Sequence, residues 1–179
     1  RYKAIGLDHF AKPDDELNTA FESRNLHRNF QGYCTRETTG QVYAFGATGI
    51  SQLDSTYAQN AKDVNTYVER INSGEFNIEK GYVLNKTQKI IRHAINEIMC
   101  NLYISWKEAA QLFETTEAEI KAIIAYDEVS LNAFVSDGLL TFTAEEIAIT
   151  DLGKYFIRNI AASLDPIMKN STQKFSKAL

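Results

Sequence analysis

From Asn85 to Leu102 the chain carries an apolar stripe in which Ile90, Ile91, Ala94, Ile95, Ile98, Met99 and Leu102 recur at spacings of three and four. That period puts them on one face of a helix and fits no strand, where the repeat is two. Such a face must be covered, so the elements around it have to wrap onto it. Asn85 with Gln88 can cap the helix start. Ser105-x-x-Glu108 and Thr116-x-x-Glu119 are capping boxes that predict two short helices near residues 106–113 and 117–126. A further helix near 128–136 stops at Asp137-Gly138.

Leu139 to Thr143 and Ile147 to Thr150, separated by Ala144, Glu145 and Glu146, read as a hairpin. A last helix carries Leu152, Tyr155, Phe156 and Ile160 and ends before Asp165-Pro166. Helix, helix, helix, hairpin and helix predict a winged-helix-like domain over residues 80–179.

The first half reads differently. Tyr2 to Leu7 is a short buried strand, and Pro13 followed by Asp14, Asp15 and Glu16 starts a helix, its carboxylates complementing the positive end of the helix dipole. Residues 42–50 predict a second strand ending in a small-residue turn. Residues 61–72 predict a helix with Val64, Tyr67, Val68 and Ile71 on its apolar side, stopped by Gly74. Two strands and two helices cannot close a sheet, so residues 1–79 are expected to be the end of a larger α/β domain, with the boundary around 73–85. The fold class is α+β, mainly helical. A chain that opens on Arg1 and enters a strand at once is expected to be cut from something longer.

A net charge of −4 gives no global pull toward nucleic acid or an anionic membrane surface. Residues 105–151 carry Lys107 and Lys121 against ten carboxylates, whereas a phosphate-binding face needs clustered bases. The winged-helix-like part is therefore expected to dock or cover and not to bind DNA. No apolar run reaches the roughly 20 residues of a membrane span. Cys34 and Cys100 show no metal-ligand spacing, which points to a reducing, cytoplasmic setting.

The richest chemistry lies in Leu26-His27-Arg28-Asn29-Phe30-Gln31-Gly32-Tyr33, which offers donors, acceptors and an aromatic face suited to a polar ligand with a flat ring. By composition alone it reads as a solvated loop anchored by Phe30 and Tyr33. His9 can titrate near neutrality or pair with a carboxylate; otherwise it is a strand-end histidine bonded to backbone. Gly46-Ala47-Thr48-Gly49 lacks the lysine of a phosphate loop and reads as a tight turn. Cys34 reads as a passive small side chain and Cys100 as core.

Gly6-Leu7-Asp8-His9-Phe10-Ala11, Pro13 to Leu17, Leu26 to Tyr33, Ile50-Ser51, Tyr57-Ala58-Gln59-Asn60, Cys100-Asn101, Asp137-Gly138-Leu139, Ile157 to Ile160 and Phe175-Ser176, taken in order, resemble the carboxy-terminal portion of the oxygen-independent coproporphyrinogen III oxidases. These are radical S-adenosylmethionine enzymes. The resemblance implies an amino-terminal barrel that binds a [4Fe-4S] cluster through CxxxCxxC and cleaves S-adenosylmethionine to a 5′-deoxyadenosyl radical. Two propionates of coproporphyrinogen III then become vinyl groups, giving protoporphyrinogen IX in haem synthesis. Residues 1–79 would be the end of that barrel.

Phe30, Gln31 and Ile50 match family positions lining the S-adenosylmethionine and substrate region, and His9 and Arg28 are added as candidate propionate or loop contacts. The cluster cysteines are not in this chain, so it is expected to be inactive alone and to need its own amino-terminal domain and the porphyrinogen. Cys34 stands where the family often has Thr, and Gly46 to Ile50 departs from the commoner Gly-x-x-Ala-Ile. The alternatives are a haem chaperone of the same superfamily, which usually carries a different tripeptide in place of Asp8-His9-Phe10, and a winged-helix binding module.

Overall fold

A computed structural model describes residues 1–30, 32–36 and 41–170. In chain order the elements are β1 (Lys3–Gly6), β2 (His9–Ala11), α1 (Glu16–Glu22), β3 (Leu26–Arg28), β4 (Tyr33–Thr35), β5 (Ile50–Gln52), β6 (Thr56–Asn60), α2 (Val64–Asn72), β7 (Ile78–Val83) and α3 (Lys86–Asn96). There follow a π-turn (Glu97–Asn101), β8 (Tyr103–Ser105), α4 (Trp106–Leu112), α5 (Glu117–Ile123), α6 (Glu128–Ser136), β9 (Leu140–Phe142), β10 (Glu146–Ile149), a 3-10 turn (Gly153–Phe156), α7 (Ile157–Ser163) and α8 (Pro166–Asn170). Among the described residues every strand pairing is antiparallel, in four separate small sheets: β1-β2, β3-β4, β5-β6-β7 and β8-β10-β9.

The capping residues do what their side chains permit. Asn85 Oδ1 accepts from the Gln88 amide at 2.9 Å while Gln88 Oε1 accepts from the Asn85 amide at 3.0 Å, so α3 starts with both arms of a capping box. Ser105 and Thr116 accept from the amides of Glu108 and Glu119, at 3.3 and 3.2 Å, while the Glu119 carboxylate takes the Thr115 hydroxyl instead of reaching back. Asp15 caps α1, one residue into the expected acidic run.

The stripe of α3 is the spine of the core. Ile90, Ile91, Ala94, Ile98, Met99 and Cys100 are buried, with Trp106, Ile120, Leu131, Leu140, Ile147 and Ile160 packed around them. Each such isoleucine or leucine contributes roughly 1.5–3 kcal/mol over its exposed state. Ala20, Leu26 and Tyr33 belong to the same core, so α1 and the β3-β4 hairpin sit on the end of α3. The fixing contact is Asn101, which accepts from the Leu26 amide at 3.1 Å and donates to Glu97 at 2.9 Å.

The remainder of the first half is unlike this. α2 has no buried residue and all six residues of β7 are exposed, leaving Val64, Val68, Ile71, Phe76 and Tyr82 open.

Three expectations need correction. Residues 42–50 are not a strand: only Val42 pairs, with Gln52, and the strand begins at Ile50. The chain turns through Gly46 and Thr48 at positive φ, so the apolar Val42 to Phe45 run cannot extend into a ladder. The loop expected over 26–33 is instead a hairpin. The two strands expected in the first half are joined by others, yet the described strands form no closed barrel. β7 lies within the 73–85 stretch where the boundary is expected.

Candidate functional site: a cationic groove beside Phe30

β3 and β4 pair His27 with Cys34 and Arg28 with Tyr33, and the turn is closed by the Asn29 amide donating to the Gly32 carbonyl at 3.0 Å. Gly32 adopts φ +148°, and a Cβ there would come 3.3 Å from His9 Nε2. The absent side chain lets the β1-β2 hairpin lie close to this turn. His9 meets the edge of Tyr33 at 4.9 Å between ring centroids, and the Arg28 guanidinium lies 5.7 Å from the Tyr33 ring. His9 Nδ1 is 2.9 Å from the Asp8 carboxylate.

Phe30 projects from the tip, 60% exposed, and touches Tyr57 edge to face at 5.5 Å. Tyr57 pairs with Gln52 across the β5-β6 hairpin. The Arg92 guanidinium lies 5.7 Å from the Tyr57 ring and 3.4 Å from its hydroxyl. These groups line a cavity of about 300 Å3 that includes Arg28 and Phe30. A neighbouring cavity of about 500 Å3 shares Gln52, Arg92 and Asn96 with it and adds His27, Arg36, Lys89 and His93. Together they make one groove between the two hairpins and the polar face of α3.

The groove therefore brings together Arg28 and Phe30 of the five residues singled out in the sequence. Ile50 lies two residues along β5 from Gln52, on the same sheet face, opposite Gln59. His9 lines neither cavity and stays with Asp8 and Tyr33. Gln31 lies outside the described residues, as does the Phe175-Ser176 match. The sequence reading missed Arg92, Lys89, His93 and Asn96. Their spacing of three and four marks a second, polar face of α3, which was the available signal.

Burial pushes the His27 imidazole below its ordinary value of 6.5, and the Arg36 and Arg92 cations push it further. Burial likewise lowers His93, partly offset by Glu97. Both therefore stay neutral in the fold where the unfolded chain takes up protons. Their contribution to stability is complete above pH 6.5 and falls as the pH drops through the lowered folded-state values. The urea midpoint is expected to fall between pH 7.5 and 5.5, and a His27→Gln, His93→Gln double variant to lose most of that fall. An unchanged fall in the variant would contradict the assignment.

The cysteines do not fit a [4Fe-4S] cluster. Cys100 is fully buried with its thiol pushed up to about 12, chiefly by desolvation, and burial also raises Cys34. Cluster ligation asks for several converging thiolates. Among the described residues no group of three or more His, Cys, Asp or Glu side chains could hold a metal, and no helix is long and apolar enough to cross a membrane.

No protein-family model matches the chain. An oxygen-independent coproporphyrinogen III oxidase of Synechocystis sp. is 37% identical over 181 residues, covering 99% of this chain and 39% of the relative. One of Helicobacter pylori is 32% identical over 178 residues, with 99% and 38% covered. The structure of Escherichia coli coproporphyrinogen III oxidase, described as a radical SAM enzyme, superposes with a TM-score of 0.81 at 32% identity, covering 92% of this chain and 37% of that one. The chain thus spans less than two fifths of the length of these relatives. Along its whole length it is homologous to the carboxy-terminal part of the oxygen-independent coproporphyrinogen III oxidases, and it belongs to that family.

Proposed function

We propose that this chain is the carboxy-terminal portion of a radical S-adenosylmethionine oxidase that oxidatively decarboxylates two propionates of coproporphyrinogen III, giving protoporphyrinogen IX, in the cytoplasm. The carrying observation is the groove in which an exposed Phe30, Tyr57 and Arg28 stand beside the cationic face of α3. An aromatic wall next to guanidinium groups suits a ring system that bears carboxylates.

In this reading Phe30, Gln31 and Ile50 face the S-adenosylmethionine side, and Arg28 and His9 receive propionate. A cluster and S-adenosylmethionine held by the rest of the enzyme supply the hydrogen-abstracting radical. The residues of this chain bind, orient and shield. Residues 1–79 complete the catalytic domain, and the open apolar side chains Val64, Val68, Ile71 and Phe76 are suited to packing against its amino-terminal part. Residues 80–179 form the winged-helix-like cover. The run of α4, α5 and α6 followed by the β9-β10 hairpin supports that, and Glu117 and Glu119 at the start of α5 oppose nucleic acid.

Incubated anaerobically with iron and sulfide, the 179-residue chain is expected to show no stoichiometric [4Fe-4S] absorption. A full cluster ligated by this chain would defeat the division of labour proposed here.

A further inference from the structure

The larger cavity of the groove contains a cation without an opposite charge. Arg36 pairs with Glu97, and Lys89 pairs with Asp54 at 2.7 Å. Arg92 has no ion pair among the described residues. Its guanidinium donates to the Leu53 carbonyl at 3.4 Å, to the Tyr57 hydroxyl at 3.4 Å and to the Asp54 carbonyl, all neutral acceptors. Those bonds leave part of a five-donor fork unused. They also hold it in place: the β5-β6 turn fixes the guanidinium at the junction of the two cavities, where Gln52 and Asn96 join it.

Lys89 lies one turn of α3 before Arg92, and its partner Asp54 is 70% exposed, so that pair opens cheaply. Arg36 and Arg92 both bear on His27 and His93, which are neutral in the fold and cancel no anion. Three cations against Asp54 and Glu97 leave the cavity net positive. Its volume of about 500 Å3 exceeds what an inorganic ion needs, and it opens beside the Phe30-Tyr57 pair.

We propose that this cavity is a carboxylate-binding subsite in which Arg92 is the anchor and Lys89, released from Asp54, is the second donor. It takes a carboxylate on a flexible arm whose ring system lies against Phe30 and Tyr57. The proposal rests on the function proposed above, which offers two sources of that chemistry: a non-reacting propionate of the porphyrinogen, and the methionyl carboxylate of S-adenosylmethionine. A bidentate guanidinium contact reinforced by an ammonium is the strong form of carboxylate recognition.

The test is calorimetric titration of the full 179-residue chain, wild type, Arg92→Gln and Lys89→Gln, with coproporphyrin III and separately with S-adenosylmethionine. Circular dichroism and thermal midpoints monitor folding. One of the two ligands is expected to bind, with its dissociation constant raised about tenfold by Arg92→Gln and severalfold by Lys89→Gln, effects that shrink as salt is added. A loss confined to coproporphyrin III identifies the propionate source, and one confined to S-adenosylmethionine the cofactor source. Lys89→Gln carries the test if Arg92→Gln fails to fold, because the Lys89 pair is at the surface. Binding that neither variant changes overturns the subsite and leaves the proposed function standing. Absence of binding to the wild-type chain also overturns it, since every group invoked belongs to this chain. Failure of the functional reading is scored separately, by turnover in an intact enzyme.

Discussion

Gly153→Ala is expected to destabilise the protein by about 3 kcal/mol or more, enough to unfold a domain of ordinary stability. A Cβ at this buried position would run into the Leu139 carbonyl oxygen and lie 2.8 Å from both the Leu139 carbonyl carbon and Ile149 Cγ2. The obstacle is backbone, and it is tied down. Leu139 O accepts from the Thr150 amide at 3.1 Å, while the Thr150 hydroxyl donates to Gly138 O at 2.7 Å and accepts from the Gly153 amide at 3.0 Å. Moving Leu139 aside would break the junction that ties the start of β9 to the 3-10 turn leading into α7. Gly6→Ala makes a useful comparison, because the three atoms nearest its Cβ all belong to the buried Tyr33 side chain and none to backbone. Urea unfolding of both variants checks this; a Gly153→Ala midpoint within error of wild type would contradict the close approach.

Trp106→Ala is expected to cost about 3–5 kcal/mol, as for other fully buried aromatic truncations. Trp106 is 0% exposed and opens α4 under the core. It meets Tyr126 edge to face at 5.5 Å, and Lys121 Nζ lies 5.4 Å from its ring. Its indole N–H is buried without a hydrogen-bond partner among the described residues. An unmade bond of that kind costs about 1–3 kcal/mol. Trp106→Phe removes the orphan donor while keeping most of the ring, so its loss is expected to be a small fraction of that of Trp106→Ala. Equal losses in chemical denaturation would show that indole volume alone decides the site.

Local signals carried the helical half. The α3 stripe, the Asn85-Gln88 box and the stop at Gly138, with its φ of +72°, are short-range features, and the chain obeys them. The features it hid depend on distant partners. β7, Ile78–Val83, contains Glu79, Lys80 and Gly81 and looks like no strand until β6 pairs with it. β3 and β4 were masked by their polar side chains, because only Leu26 and Tyr33 turn fully inward.

The site divides in the same way. Arg28 and Phe30 were legible because they share one segment. Arg92 was not, since its meaning comes from meeting Leu53, Asp54 and Tyr57, 35 to 39 residues earlier in the chain. His9 is set against Tyr33, beside Gly32, a neighbourhood made by the approach of the β1-β2 hairpin to the β3-β4 turn and invisible in either segment alone.

The central claim is that the Phe30 groove is one wall of a coproporphyrinogen-oxidising site. The direct measurement is anaerobic turnover of coproporphyrinogen III, with S-adenosylmethionine, by an intact polypeptide in which this chain accompanies a cluster-binding portion, wild type and Phe30→Ala. The account predicts carbon dioxide release and protoporphyrinogen IX from the wild type, and a loss in kcat/KM of about tenfold or more in Phe30→Ala from one missing aromatic contact. Stable stoichiometric haem binding with no porphyrinogen turnover by the wild type, or full activity in Phe30→Ala, would contradict it.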